Sequence, residues 1–197
     1  MTKEELIAFE DDIVERFHNG EIPFPIHFSG GNEDNLIEIF KNIKKEDWVF
    51  STWRSHYHYL LKGGSPEVLK NKILHGDSMH IMDKNLNFMA SSIVAGCCPI
   101  AVGVAKSLQI QKTTGHVWAF IGDGCEDEGI FYESVRYVAA WGLPCTFIIE
   151  DNGLSVDTTL QERMNGFTIG WPDCVKRYHY IRKWPHCQTG RFIKEYM

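Results

Sequence analysis

Residues 117–152 read VWAFIGDGCEDEGIFYESVRYVAAWGLPCTFIIEDN, and the fold follows from this stretch. Val117–Ile121 is an unbroken apolar run, and so is Cys145–Ile149. Neither alternates polar with apolar residues, so both read as strands covered on two sides, as in a parallel sheet. Between them Phe131–Trp141 carries apolar residues at helical spacing, and Leu143-Pro144 introduces the second run. Strand, helix and strand in this order form a βαβ unit. The sequence therefore predicts an α/β fold, a three-layer parallel sheet with helices on both faces.

In such sheets ligands sit beyond the carboxyl ends of the strands. The first run ends in Gly122-Asp123-Gly124-Cys125 and the second in Asp151-Asn152-Gly153-Leu154. The glycines allow close backbone approach, and a helix starting near Gly129 points its positive end at the same place. Asp123 and Asn152 offer hard oxygen ligands, and a carbonyl just past Asn152 offers a third. Mg²⁺ takes few protein oxygens and completes its shell with water and phosphate, so a metal-bridged diphosphate fits. Each motif alone is only a turn. Their pairing, 29 positions apart with a helix and a strand between them, is far more specific.

Working outward, residues 3–19 read as an amphipathic helix stopped by Gly20, and residues 33–44 as a second helix leading to a strand at Trp48–Ser51. Ser65-Pro66-Glu67 has a cap, a first-turn proline and an early acid, so a helix should run to about Ile73. The small, apolar residues from Ile93 to Ile110 suit a closely packed buried helix. No repeat or linker interrupts the chain, and a single domain spanning 1–197 is the expectation.

Composition excludes some functions. The net charge of −6 and a pI near 5.8 leave no basic footprint for nucleic acid. No apolar run approaches the ~20 residues a membrane helix needs, and the acidic N-terminus is unlike a signal or transit peptide. The six cysteines (Cys97, Cys98, Cys125, Cys145, Cys174 and Cys187) show no zinc-type spacing. Most read as small core residues in a reducing compartment, so a cytoplasmic location is expected.

The run from Gly122 to Asn152 resembles the thiamine diphosphate fingerprint. Over roughly His27 to Asp157 the chain is similar to the α subunit of the first component of 2-oxo-acid dehydrogenase complexes, of the pyruvate and branched-chain type. STWRSH (51–56) resembles that family's Tyr-Arg-x-His segment, DSMHIMDKN (77–85) its Ser-Met-His segment, and SSIVAGCCPIAVGVA (91–105) its small-residue helix under the cofactor. The resemblance implies the thiamine-diphosphate-binding fold, with Mg²⁺ on Asp123, Asn152 and the Leu154 carbonyl. It places the diphosphate on Gly122, Gly124, Cys125 and Arg54, with Trp53 in a tyrosine's position. It sets the aminopyrimidine against the backbone of Ser92, Ile93 and Val94, and His27 at the substrate end, with His56 as a second catalytic candidate. It also implies a β-type partner subunit that supplies the glutamate for the pyrimidine ring, hence a hetero-oligomer, and a small 2-oxo acid as substrate.

Other readings stay open. DNGLSVDT (151–158) also resembles transketolases, which would mean ketol or acyl transfer with a sugar substrate. Relative to the family the chain is shortened at both ends, which leaves room for a non-catalytic cofactor-binding subunit. His56 and His58 would share one face of a strand, but a zinc-type site needs a third ligand. His80 reads equally as packing or catalytic. Glu126-Asp127-Glu128 reads as a first-turn acidic cluster that favours the helix dipole. His179 and His186 receive no assignment, because their spacing does not match the family's late histidine motif.

Overall fold

The computed structural model describes residues 1–186. Its strands are β1 (Trp48–Ser51), β2 (Met82–Asp83), β3 (Phe88–Ala90), β4 (Val117–Gly122), β5 (Cys145–Asp151), β6 (Leu154–Ser155), β7 (Thr158–Thr159) and β8 (Val175–His179). Its helices are α1 (Lys3–His18), α2 (Glu33–Phe40), α3 (His56–Leu61), α4 (Pro66–Leu74), α5 (Cys97–Gln111), α6 (Gly129–Trp141) and α7 (Leu160–Met164), with a 3₁₀ turn at Asp123–Asp127. Six strands form one sheet in the order β2-β3-β1-β4-β5-β8, parallel throughout except for the β2–β3 pair. Strands β6 and β7 form a separate hairpin.

The apolar runs are continuous because each strand feeds two cores. Along β4, Phe120 belongs to the core that holds Leu6, Ile13, Leu36 and Leu69, whereas Val117, Ala119 and Ile121 belong to the one that holds Ala101, Ala105, Phe131 and Val135. Val49 and Phe50 divide between the two cores in the same way, as do Ile148 and Phe147. Helices α1 to α4 thus cover one face, and α5 and α6 the other. This is the expected α/β architecture with helices on both faces.

Local signals set several boundaries. Thr2 and Glu5 form a capping box at the start of α1, and Ser65 caps α4 ahead of Pro66 at its first position. Gly142 ends α6 in the left-handed conformation, φ +56°.

The chain leaves β1 through α3 and α4 on one face to reach β3. It then returns through α5 on the opposite face and lands on the other side of β1 as β4. Right-handed crossovers that run in opposite directions require opposite faces. The direction of winding reverses between β1 and β4, and there a crevice opens beyond the carboxyl ends of the strands.

Several expectations need correction. His56 and His58 lie on helix α3, not on a strand: the alternation HYHY mimics a strand, but all four side chains are buried in a helical turn. Helix α2 ends at Phe40 rather than Lys44. Helix α5 begins at Cys97 rather than Ile93, because Ala95 adopts φ +54°, which a right-handed helix cannot contain. Nor is α5 buried all round: Cys97, Cys98, Ala101 and Ala105 form its buried stripe, while Ile100 and Ile110 are exposed. Strands β2, β3 and β8 and helix α3 answer to no expectation from the sequence. Cys97, Cys98, Cys125 and Cys145 are buried free thiols and Cys174 is half-buried; Cys187 lies outside the described residues. No helix among the described residues is long and apolar enough to cross a membrane.

Candidate functional site

A cleft of about 800 Å³, its open mouth included, lies at this reversal point. Three strand ends build it. β1 delivers Thr52, Trp53 and Arg54, β4 delivers Gly122 to Cys125, and β5 delivers Glu150, Asn152 and Leu154. The loop before α2 adds Phe28, Ser29, Gly30 and Asn32, and the loop before α5 adds Val94. Tyr180, Arg182 and His186, from the segment after β8, close the far side.

The β4 end is acidic. Asp123 is 2% exposed, and burial, followed by the Asp151 carboxylate, raises its carboxyl above the ordinary value. Arg163 on α7 opposes that rise, donating from Nη2 to Asp123 Oδ2 at 2.8 Å and from Nη1 to Asp127. Gly124 tolerates no side chain, since a Cβ there would come within 2.5 Å of Ser155 Oγ on the hairpin. Asn152 is held from both sides: its Oδ1 accepts from Leu154 N at 3.2 Å and its Nδ2 donates to Tyr180 Oη at 3.1 Å. Neighbouring Asp151 pairs with Arg177 and, at 3.2 Å, with His179.

The acidic run at 126–128 precedes α6 rather than forming its first turn, which corrects the reading from the sequence. Glu126 accepts from Arg177 and, at 2.6 Å, from Trp171 Nε1, Asp127 accepts from Arg163, and Glu128 is the residue before α6. The run thus fastens two arginines behind the site.

The opposite end is basic and aromatic. Arg54 Nη1 donates to the Phe28 carbonyl at 2.7 Å, which aims the guanidinium along the cleft wall. His27 is 3% exposed; its ring centre lies 4.4 Å from that of His186, the planes tilted by 34°, and 5.9 Å from that of Trp53. Burial, then the charge of Arg54, lowers His27 to about 3 and His186 to about 4. Both imidazoles are therefore neutral near pH 7, so they offer hydrogen bonds rather than charge. His27 Nδ1 is buried with no hydrogen-bond partner among the described residues, which is costly unless a ligand supplies one.

Two buried networks brace the walls. Glu10 on α1 accepts from Ser29 N at 2.7 Å and meets His56 Nδ1 at 3.0 Å, while His56 Nε2 lies 2.9 Å from Ser78 Oγ. His56 is 0% exposed and does not line the cleft. Glu150 accepts from Tyr178 and from Asn32 Nδ2 at 3.1 Å. His58 Nε2 lies 3.2 Å from Glu150 Oε1 but too far off line for a hydrogen bond.

Of the residues singled out in the sequence, Trp53, Arg54, Val94, Gly122, Asp123, Gly124, Cys125, Asn152 and Leu154 share the cleft, and His27 stands behind His186 at its edge. Ser92 and Ile93 do not line it; Ser92 Oγ lies 2.6 Å from His80 Nε2. Among the described residues no group of three or more His, Cys, Asp or Glu side chains could hold a metal by itself. A cation here would depend on Asp123, the Asn152 amide, a carbonyl and oxygens brought by the ligand. The sequence reading missed Asn32, Glu150, Tyr180, Arg182 and the role of His186. One signal was present: Gly170-Trp171-Pro172-Asp173 punctuates the chain ahead of Val175, and a strand placed there ends beside Asp151.

Comparison with known proteins agrees with this architecture. The profile of the family described as "Dehydrogenase E1 component" matches residues 1–169. The acetoin:2,6-dichlorophenolindophenol oxidoreductase α subunit of Bacillus subtilis is 30% identical over 80% of this chain and 50% of its own length. Its counterpart from Cupriavidus necator is 31% identical over 77% of this chain and 48% of its own length. The pyruvate dehydrogenase E1 component α subunit of Rickettsia bellii is 30% identical over 96% of this chain and 64% of its own length. The chain thus spans about half the length of the first two relatives. With the match running through all three strand ends that build the cleft, this chain belongs to the dehydrogenase E1 component family.

Proposed function

We propose that the chain binds the diphosphate end of thiamine diphosphate through Mg²⁺, as the α-type subunit of a 2-oxo-acid dehydrogenase first component. One observation carries this reading: a single cleft gathers Asp123, Asn152, Leu154, Gly124, Cys125 and Arg54 from three separate strand ends. The donor set fits the group. Asp123, the Asn152 amide and the Leu154 carbonyl are hard oxygens suited to Mg²⁺. The first N–H groups of the 3₁₀ turn, that of Gly124 included, have no partner within that turn and suit phosphate oxygens. Arg54 presents a planar guanidinium, apt for phosphate.

When bound, the cofactor supplies the nucleophilic carbon and the electron sink for decarboxylation. The chain's own part is to hold and orient. Trp53, Val94 and Phe28 exclude water along the cleft, and His27 and His186 offer neutral hydrogen-bonding groups to a small 2-oxo acid. The domain reading is a diphosphate-binding unit of the thiamine-diphosphate fold. The glutamate for the pyrimidine ring would come from a β-type partner, in a hetero-oligomer.

The test is a thermal shift with thiamine diphosphate and Mg²⁺. A ligand at 100 times its dissociation constant adds about 2.7 kcal/mol of stability. Asp123→Ala is expected to abolish the shift, and a shift that persists unchanged refutes the metal assignment.

A further inference from the structure

We propose that Arg163 is a displaceable counter-cation for the metal carboxylate: it holds Asp123 until a divalent ion arrives, and the ion's arrival frees α7 from the 3₁₀ turn. This rests on the reading of Asp123 as a metal ligand and adds the event that metal binding sets off.

The guanidinium straddles the 3₁₀ turn, with one nitrogen 2.8 Å from Asp123 Oδ2 and the other on Asp127. The Arg163 side chain is 11% exposed and that of Asp123 3%. A carboxylate this buried, with Asp151 as a like-charged neighbour, requires a positive partner. A divalent ion at Asp123 would meet the same need more strongly, and the two cations would repel each other across one carboxylate.

The element that carries Arg163 is built to leave. Helix α7 has no buried residue, and Met164 and Phe167 are exposed. It makes no entry into either core. Its own order is local, from the Thr159–Glu162 capping box. Left-handed residues stand on both sides of it, Val156 at φ +58° before and Asn165 at +50° and Gly166 at +73° after. Arg177, the arginine on Asp151 and Glu126, contrasts with it: it belongs to β8 and is fixed by five sheet pairings with β5. Two arginines thus serve neighbouring carboxylates, one built into the sheet and one on a tethered turn.

The experiment uses the whole chain and Mn²⁺ alone, with free ion counted by electron paramagnetic resonance, in the wild type, Arg163→Gln and Asp123→Asn. Competition reduces apparent affinity by the fraction of molecules whose carboxylate is available, so Arg163→Gln is expected to bind Mn²⁺ on the order of tenfold more tightly. Asp123→Asn is expected to lose binding. In the wild type, Mn²⁺ is expected to speed tryptic cleavage after Arg163, read by mass spectrometry, because the freed guanidinium becomes accessible. Equal affinity in the wild type and Arg163→Gln, including none measurable in either, overturns the proposal, as does weaker binding by Arg163→Gln. If thiamine diphosphate with Mg²⁺ still shifts the melting temperature, that failure leaves the cofactor reading standing; if it does not, both fall.

Discussion

The paired histidines at the basic end of the cleft predict a specific acid sensitivity. His27 is 3% exposed, and burial, then Arg54, His186 and His56, lowers it from 6.5 to about 3. In the unfolded chain it titrates near its ordinary value. The folded state therefore binds fewer protons than the unfolded state between these two values, and stability rises with pH across that window. The contribution is complete above about pH 6.5 and is lost as the pH falls toward 3. At pH 4.5 the unfolded histidine is almost fully protonated and the folded one almost wholly neutral. Between pH 7 and pH 4.5 the loss assignable to His27 is thus about 2.5 kcal/mol. His186, lowered to about 4 mainly by its own burial, adds a loss of the same sign, so the wild type alone cannot isolate one ring. The comparison with His27→Gln does. Urea unfolding at a series of pH values gives stability curves for both proteins, and their difference is expected to shrink by about 2.5 kcal/mol on going from pH 7 to pH 4.5. The variant's lower stability at neutral pH is immaterial, because only the change with pH is read. Curves that run parallel over this range would refute the claim that His27 is buried and neutral.

Two further outcomes concern the walls. Glu10→Ala leaves His56 and the Ser29 N–H buried without their acceptor, and chemical denaturation is expected to show a loss of about 3–5 kcal/mol; a loss under 1 kcal/mol would mean the network is relaxed or wet. Gly31 sits at φ +93°, and a Cβ there would lie 2.0 Å from the Ile181 carbonyl oxygen. Gly31→Ala is therefore expected to cost at least about 2 kcal/mol and to push the 181–186 segment outward, read as faster diethyl pyrocarbonate modification of His186.

How much of this the sequence disclosed depends on where each element finds its stabilisation. The unit from β4 through α6 to β5 was legible because its apolar residues are contiguous and its strands feed cores on both faces. β8 was not, because Val175–His179 carries Lys176, Arg177 and His179, and hydrophobic pattern is silent on such a strand. Its order comes from ion pairs to Asp151 and Glu126 and from pairing with β5, all settled far along the chain. Helix α3 was hidden in the same way. Burying His56 and His58 is tolerable only with Glu10 and Glu150 in reach, and nothing local to HYHY announces those partners.

The site divides along the same line. Asp123 and Asn152 were found because each sits at the end of a legible strand, where the fold alone dictates that ligands bind. His186 was missed because its position depends on β8, on the crossing of Gly31 beneath Ile181, and on the Lys183 N–H bond to the Gly30 carbonyl at 3.1 Å. Spacing in sequence therefore says little about such a residue, since the segment after β8 reaches the cleft by folding back across the loop that carries His27. What makes the pair persuasive is physical: two neutral imidazoles with ring centres 4.4 Å apart beside Arg54, one with a buried ring nitrogen that no group among the described residues satisfies. A structural histidine gains its burial by finding a partner, as His56 does with Glu10 and Ser78. Among the described residues His27 Nδ1 has none, as is also true of His58 Nε2, but of the two only His27 stands at the cleft edge, behind the His186 ring that lines it, so its nitrogen is the better pointer to where a substrate's polar atom belongs.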